Sequence, residues 1–93
     1  MMENNITPDF ATLGTALASV ITRGMHNPCI VYDIGSGEFS HQSDLVPMGE
    51  DEMILARNLD VAEWGIETEE DAHNYAAQPE IQHIWLAMIA DAK

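Results

Sequence analysis

Cys29-Ile30-Val31-Tyr32-Asp33-Ile34-Gly35-Ser36-Gly37-Glu38-Phe39-Ser40-His41 is the stretch that decides the fold of this 93-residue chain. Cys29 to Tyr32 are short, branched or aromatic, as a strand requires. Gly35-Ser36-Gly37 supply turn chemistry, and Glu38 to His41 return. The reading is a β-hairpin, with Asp33 to Glu38 as its tight turn. Cys29 and Val31 share one face of the first strand, and Ile30 and Tyr32 share the other. Apolar groups on both faces place that strand inside a sheet rather than at its edge.

Toward the N-terminus the spacing predicts a helix. Thr7 is read as the N-cap, Pro8 as the first helical residue, and Asp9 as an acid favoured by the positive end of the dipole. Phe10, Leu13, Leu17, Val20 and Ile21 recur at offsets of three and four, and Gly24 is the stop. Gly14, inside that helix, costs about 1 kcal/mol relative to alanine, which suggests close approach of another backbone.

Toward the C-terminus, residues 43–50 read as a loop containing Pro47 and Gly49. The segment from Glu52 to Ile66 is ambiguous. Met53-Ile54-Leu55-Ala56 reads as a strand, with Ala62 to Ile66 pairing after a turn at Asn58-Leu59-Asp60. Leu55, Leu59, Ala62 and Ile66 also share a helical face. A strand over 52–57 is the preferred reading. Thr68-Glu69-Glu70-Asp71 resembles a capping box, opening a short helix to Ala77. Pro79 interrupts or restarts it, and Ile81, Ile84, Trp85, Met88 and Ile89 form a second apolar face.

The expected architecture is α+β in a single compact domain over residues 1–93, with 1–6 disordered. It has an N-terminal helix, a small antiparallel sheet (the hairpin plus one or two further strands), and C-terminal helices packed on one sheet face. Phe10, Leu13, Leu17, Val20, Ile21, Val31, Phe39, Ile54, Ile81, Ile84, Trp85, Met88 and Ile89 are the expected core.

Charge constrains function more than any motif does. Sixteen Asp and Glu face three Lys and Arg, a formal net charge of −13. Such a chain repels nucleic acid and anionic membranes and attracts basic protein surfaces. Eleven of the acids lie between Asp44 and Glu80, with Arg57 as the one base there. Cys29 is the single cysteine, so an internal disulfide is excluded and a reducing cytoplasm is expected. The first residues lack the basic and apolar stretches of a signal peptide. The longest apolar run, Ile84 to Ala90, falls far short of the ~20 residues of a membrane helix.

Signatures of catalysis are weak. His26, His41, His73 and His83 form no pair at a helical offset of three or four. A hairpin could bring Cys29 near His41, but zinc needs about three or four placed ligands. Asp44, Glu50 and Glu52 lack the EF-hand pattern, and Gly35-Ser36-Gly37 is not a nucleophile elbow. No cofactor, no metal and no enzymatic activity are expected.

The acids admit two readings. Glu69, Glu70 and Asp71 serve as helix-start acids, and Glu50-Asp51-Glu52 and Glu63 as solvated loop residues. Alternatively, carboxylates three or four residues apart on a helix lie ~5–6 Å apart and imitate a row of phosphates. Glu67, Glu70 and Asp71 have that spacing if the helix starts slightly early. In size, charge and lack of enzyme motifs the chain resembles the small acidic inhibitors of phages and mobile elements, anti-restriction and anti-CRISPR proteins among them. Some of these imitate DNA. The resemblance rests on no shared motif and carries over no residue role.

The sequence thus points to a non-enzymatic inhibitor or regulator binding the basic surface of a nucleic-acid-binding protein or complex and, in the sharper form of this expectation, acting as a nucleic-acid mimic. Glu50, Asp51, Glu52, Glu63, Glu67, Glu70 and Asp71 would be its contacts and Trp64 a candidate anchor, with no direct nucleic-acid or membrane binding. The alternative is an accessory or self-associating module that uses its apolar helix faces, which leaves a homodimer open. A small metal protein or enzyme ranks last.

Overall fold

The fold is taken from a computed structural model that describes residues 7–24, 28–43, 49–57 and 60–92. The expected disorder of 1–6, most of the expected loop 43–50, the Asn58-Leu59 turn and His26 lie outside the described residues. The architecture is α+β. A helix α1 (Phe10–Arg23) leads into a sheet of β1 (Pro28–Asp33), β2 (Phe39–Ser43) and β3 (Glu52–Ala56). A 3-10 turn at Val61–Trp64 precedes α2 (Glu69–Ala77) and α3 (Pro79–Ala92).

Strand order is β2-β1-β3, antiparallel throughout. Tyr32 stands opposite Phe39 on one side and Met53 on the other, and Val31 opposite Ser40 and Ile54. The central place expected for β1 follows from its composition: Cys29, Ile30, Val31 and Tyr32 are all buried. The hairpin closes through Asp33, whose Oδ1 accepts the Gly35 and Ser36 amides at 2.8 and 3.3 Å. The Gly37 amide donates to Asp33 O at 2.8 Å, and Gly37 has φ 78°, a conformation glycine adopts without strain.

The start of α1 corrects the sequence reading. Asp9, not Thr7, is the N-cap, and its Oδ1 accepts the Ala11 amide at 3.1 Å. The cause is tertiary. Asp9 forms a parallel bridge with Glu38 and donates its amide to Gly37 O at 2.7 Å, which holds it extended and delays the helix. Thr12 completes the junction: its hydroxyl donates to Asp9 O at 2.6 Å and accepts the Phe39 amide at 2.8 Å. The N-terminus of α1 is therefore fastened to the hairpin turn. At the other end Gly24 (φ 56°) stops the helix as expected, its amide reaching the Ile21 and Val20 carbonyls.

The ambiguous segment divides. The strand preferred for 52–57 is present as β3, whereas 62–66 is not a strand. Gly65, at φ 79°, ends the 3-10 turn, and the Ile66 amide donates to Val61 O at 3.1 Å, which turns Ile66 into the core. Thr68 then caps α2: its hydroxyl accepts the Asp71 amide at 3.1 Å, while Asp71 Oδ2 accepts the Glu67 amide at 3.0 Å. This is a capping box in which the returning bond reaches Glu67, one residue outside the cap, instead of Thr68 itself. α2 ends at Ala77 and Pro79 restarts the chain as α3, with Gln82 Nε2 donating to Ala76 O at 2.9 Å across the corner.

α1 and α2 run antiparallel. Gly14 lies against His73, and Phe10 and Ala11 share a groove with Ala76 and Ala77. The core joins Leu13, Leu17, Ile30, Tyr32, Phe39, Ile66, Ala72, Ala76, Trp85 and Ile89. All six aromatic residues of the chain connect: Phe39 contacts Phe10, Tyr32 and Trp85, and Trp64 contacts Trp85 and Tyr75. Two core expectations need correction. Ile84 is 52% exposed, and Ile54, on the edge strand β3, is only half-buried. Ile30, Tyr32 and Ile66 take up core space that the expected list left out.

Candidate functional site at the hairpin end

The closed end of the sheet gathers acids from three parts of the chain. Asp33 ends β1 and stands opposite Glu52, the first residue of β3. The Ile34 amide donates to Asp51 O at 2.8 Å, which draws the turn before β3 against the hairpin. Asp33 Oδ1 and Asp51 Oδ2 flank Gly35, at 3.2 and 3.4 Å from where a Cβ on that glycine would sit. Glu38 closes the hairpin by accepting the Asp33 amide at 2.9 Å, and Asp9 bridges to Glu38. With Glu50 next to Asp51, six carboxylate residues occupy this end: Asp9, Asp33, Glu38, Glu50, Asp51 and Glu52. Three have structural work, since Asp9 caps α1, Asp33 holds the turn and Glu52 Oε1 accepts the Gly49 amide at 2.7 Å. Asp9, Glu38, Glu50 and Asp51 are exposed.

The eight site residues read from the sequence fall into two groups. Glu50, Asp51 and Glu52 lie at the hairpin end. Glu63, Trp64, Glu67, Glu70 and Asp71 lie on the 3-10 turn and the start of α2. Because α2 runs antiparallel to α1, and the start of α1 is tied to the hairpin, the start of α2 points toward the other end of the molecule. The acids therefore form two patches rather than one stripe. Asp71 is engaged in the cap of α2. Trp64 is 38% exposed, with one ring face stacked on Tyr75 at 5.5 Å and 11° between planes. It covers the aromatic cluster and shows solvent only part of its surface.

Sequence reasoning missed Asp9, Glu38 and Asp33 as members of the acidic end. Asp33 was legible as a turn residue and Asp9 as a helix-start acid. Only the bridge to Glu38 and the pairing of β1 with β3 bring them together.

The other chemistry-bearing groups do not converge. Register puts Ile30 opposite His41 and Cys29 opposite Gln42, so Cys29 and His41 point to opposite faces of the sheet. Among the described residues no group of three or more His, Cys, Asp or Glu is arranged to hold a metal ion. Ser36 Oγ accepts the Glu38 amide at 3.3 Å and belongs to the turn. A groove of about 250 Å³ between α1 and β2 is lined by Thr12, Thr15, Ala16, Ser19, Phe39, Ser40 and His41. His41 Nδ1 is buried there without a hydrogen-bond partner. Burial, then the nearby Arg23 guanidinium, pushes the His41 pKa down. Burial, then Asp33, pushes the Tyr32 phenol up.

No described helix is long and apolar enough to cross a membrane. No protein-family model, curated protein or solved structure matches the chain.

Proposed function

We propose that this is a non-enzymatic acidic binding protein whose hairpin end docks on the basic surface of a nucleic-acid-binding protein or complex and inhibits or regulates it. The observation that carries this reading is the meeting of Asp9, Asp33, Glu38, Glu50, Asp51 and Glu52 around one rigid turn. Three of these side chains, those of Asp9, Asp33 and Glu52, are pinned by backbone amides. A pinned carboxylate loses less side-chain freedom on binding than a mobile one, so its charge is used more efficiently. Association would be steered at long range by the net charge of −13 and would weaken with salt. The carboxylates occupy the place of phosphates in such a contact, and the acids at the start of α2 form a second, separate patch. The cytoplasm suits this role, since the buried Cys29 thiol stays reduced there.

The test is capture from a lysate of the native host on immobilised protein, comparing wild type with Glu50→Lys/Asp51→Lys. A nucleic-acid-binding protein retained by wild type, lost by the variant and displaced by added duplex DNA supports the reading. Equal retention by both proteins contradicts the site, and release that ignores added DNA contradicts the phosphate-like role.

A further inference from the structure

An open groove of about 310 Å³ lies where the start of α1 meets the end of α2, lined by Phe10, Ala11, His73, Ala76, Ala77 and Gln82. The lining is mostly apolar and holds no Asp, Glu, Lys or Arg. Its surroundings are negative. Asp9 Oδ1 accepts the amide of Ala11, a lining residue, at 3.1 Å, and the Asp9 amide donates to Gly37 O at 2.7 Å. The groove therefore adjoins the acidic hairpin end. Ala76 and Ala77 are the last two residues of α2, and no basic residue stands in that last turn to offset the negative pole of the helix. Glu80 adds a carboxylate in the first turn of α3.

We propose that this groove receives one lysine side chain of the basic partner, its methylene stem along Phe10 and the alanines and its ammonium beside the Asp9 carboxylate. The inference deepens the reading of the hairpin end and rests on it. An uncharged, apolar lining takes a methylene stem, and a negative border takes a cation. A long basic side chain carries both parts, burying its stem while its head stays at the rim. A second copy of the chain would bring a net charge of −13 to a site that is already negative. Lysine suits the site better than arginine. Asp9 Oδ1 is already held by the Ala11 amide, so the carboxylate is not free for the paired bonds of a guanidinium, whereas an ammonium acts as a point charge. The volume stands at the low end of the ~300–1,000 Å³ of pockets that enclose whole ligands, as suits a single side chain.

Amide NMR on the labelled full chain tests it at low salt, with two peptides of equal charge. One alternates lysine with glycine, and the other carries diaminobutyrate, whose stem is shorter, in place of lysine. Both should shift the amides of Asp33 to Glu38. The lysine peptide alone should also shift Ala11, Ala76 and Ala77, and it should bind about fivefold more tightly through the methylenes it buries. Ala11→Leu/Ala77→Leu fills the groove at two exposed positions without changing charge. It should remove the lysine advantage, leave the diaminobutyrate affinity as it was, and show the circular dichroism of wild type. Hairpin shifts with equal affinity for both peptides and still groove amides overturn the inference and leave the reading of the hairpin end standing. A lysine advantage that survives in the filled variant overturns the groove as its place. Groove amides that move with protein concentration alone mark a second copy there and overturn it too. Hairpin amides unmoved by either peptide overturn the reading of the hairpin end itself.

Discussion

Gly14 and His73 hold α1 and α2 in backbone contact: a Cβ on Gly14 would lie 2.7 Å from His73 Nδ1 and 3.2 Å from His73 Cα. The imidazole can move aside, but the Cα cannot move without its helix. Gly14→Ala therefore gains about 1 kcal/mol of helix propensity and loses about 1–3 kcal/mol to overpacking. The expected outcome is net destabilisation in urea unfolding, smaller in a His73→Ala background, where only the 3.2 Å contact remains. A stabilised Gly14→Ala variant would show that the helices part freely.

Thr68 and Asp71 cap α2 reciprocally, each side chain accepting an amide next to or within the other's turn. Thr68→Ala and Asp71→Ala should each cost about 1 kcal/mol, and the double variant less than the sum, because both serve one structure. Strict additivity in a double-mutant cycle would separate the two bonds.

Tyr75 supports two tryptophans at once. Its ring stacks on Trp64, and its hydroxyl accepts from Trp85 Nε1 at 3.2 Å. Tyr75→Phe should preserve the stack and lower stability by about 1 kcal/mol through the orphaned indole N–H. Urea midpoints measure the loss, and unchanged near-ultraviolet circular dichroism confirms that the stack survives. A midpoint equal to wild type would mean the bond adds nothing net.

His41 makes stability depend on pH. Its folded pKa lies below the ordinary imidazole value, chiefly from burial and secondarily from Arg23, so the unfolded chain binds the proton more readily. Stability then rises with pH wherever the unfolded state holds more protons. The contribution is complete above the unfolded value of about 6.5 and is lost progressively as pH falls through the folded pKa. Wild type should lose stability relative to His41→Gln as pH falls below the ordinary imidazole value of about 6.5. Parallel profiles for the two proteins would remove His41 as the cause.

The parts of the fold legible in the sequence are those set by local chemistry. The hairpin around Gly35-Ser36-Gly37, the Gly24 stop, the Thr68 cap and the end of α2 before Pro79 all depend on a few adjacent residues. What was hidden depends on distant pairing. Asp9 displaces Thr7 as the cap because Gly37 accepts its amide, a contact no window around Thr7 contains. Ile84 read as core because it follows Ile81 by three and precedes Met88 by four, so its spacing alone does not show that it lies on the rim of the apolar face. Ala72 and Ala76 line the core with little hydrophobic signal, because the close α1–α2 packing needs small residues. The acidic site was legible as a property of the chain, in its net charge of −13, but not as a place. Its division into two ends follows from the antiparallel course of α1 and α2.

The central claim, that the hairpin end is the surface offered to a basic partner, is tested most directly by NMR. Backbone amide shifts would be followed while an arginine-rich peptide is titrated into the isotopically labelled protein at low salt. The account predicts that the amides of Asp33 to Glu38 and of Glu50 to Glu52 move first and furthest, and that added sodium chloride reverses the change. Shifts spread evenly over the surface, or centred on Glu67 to Asp71, would contradict it.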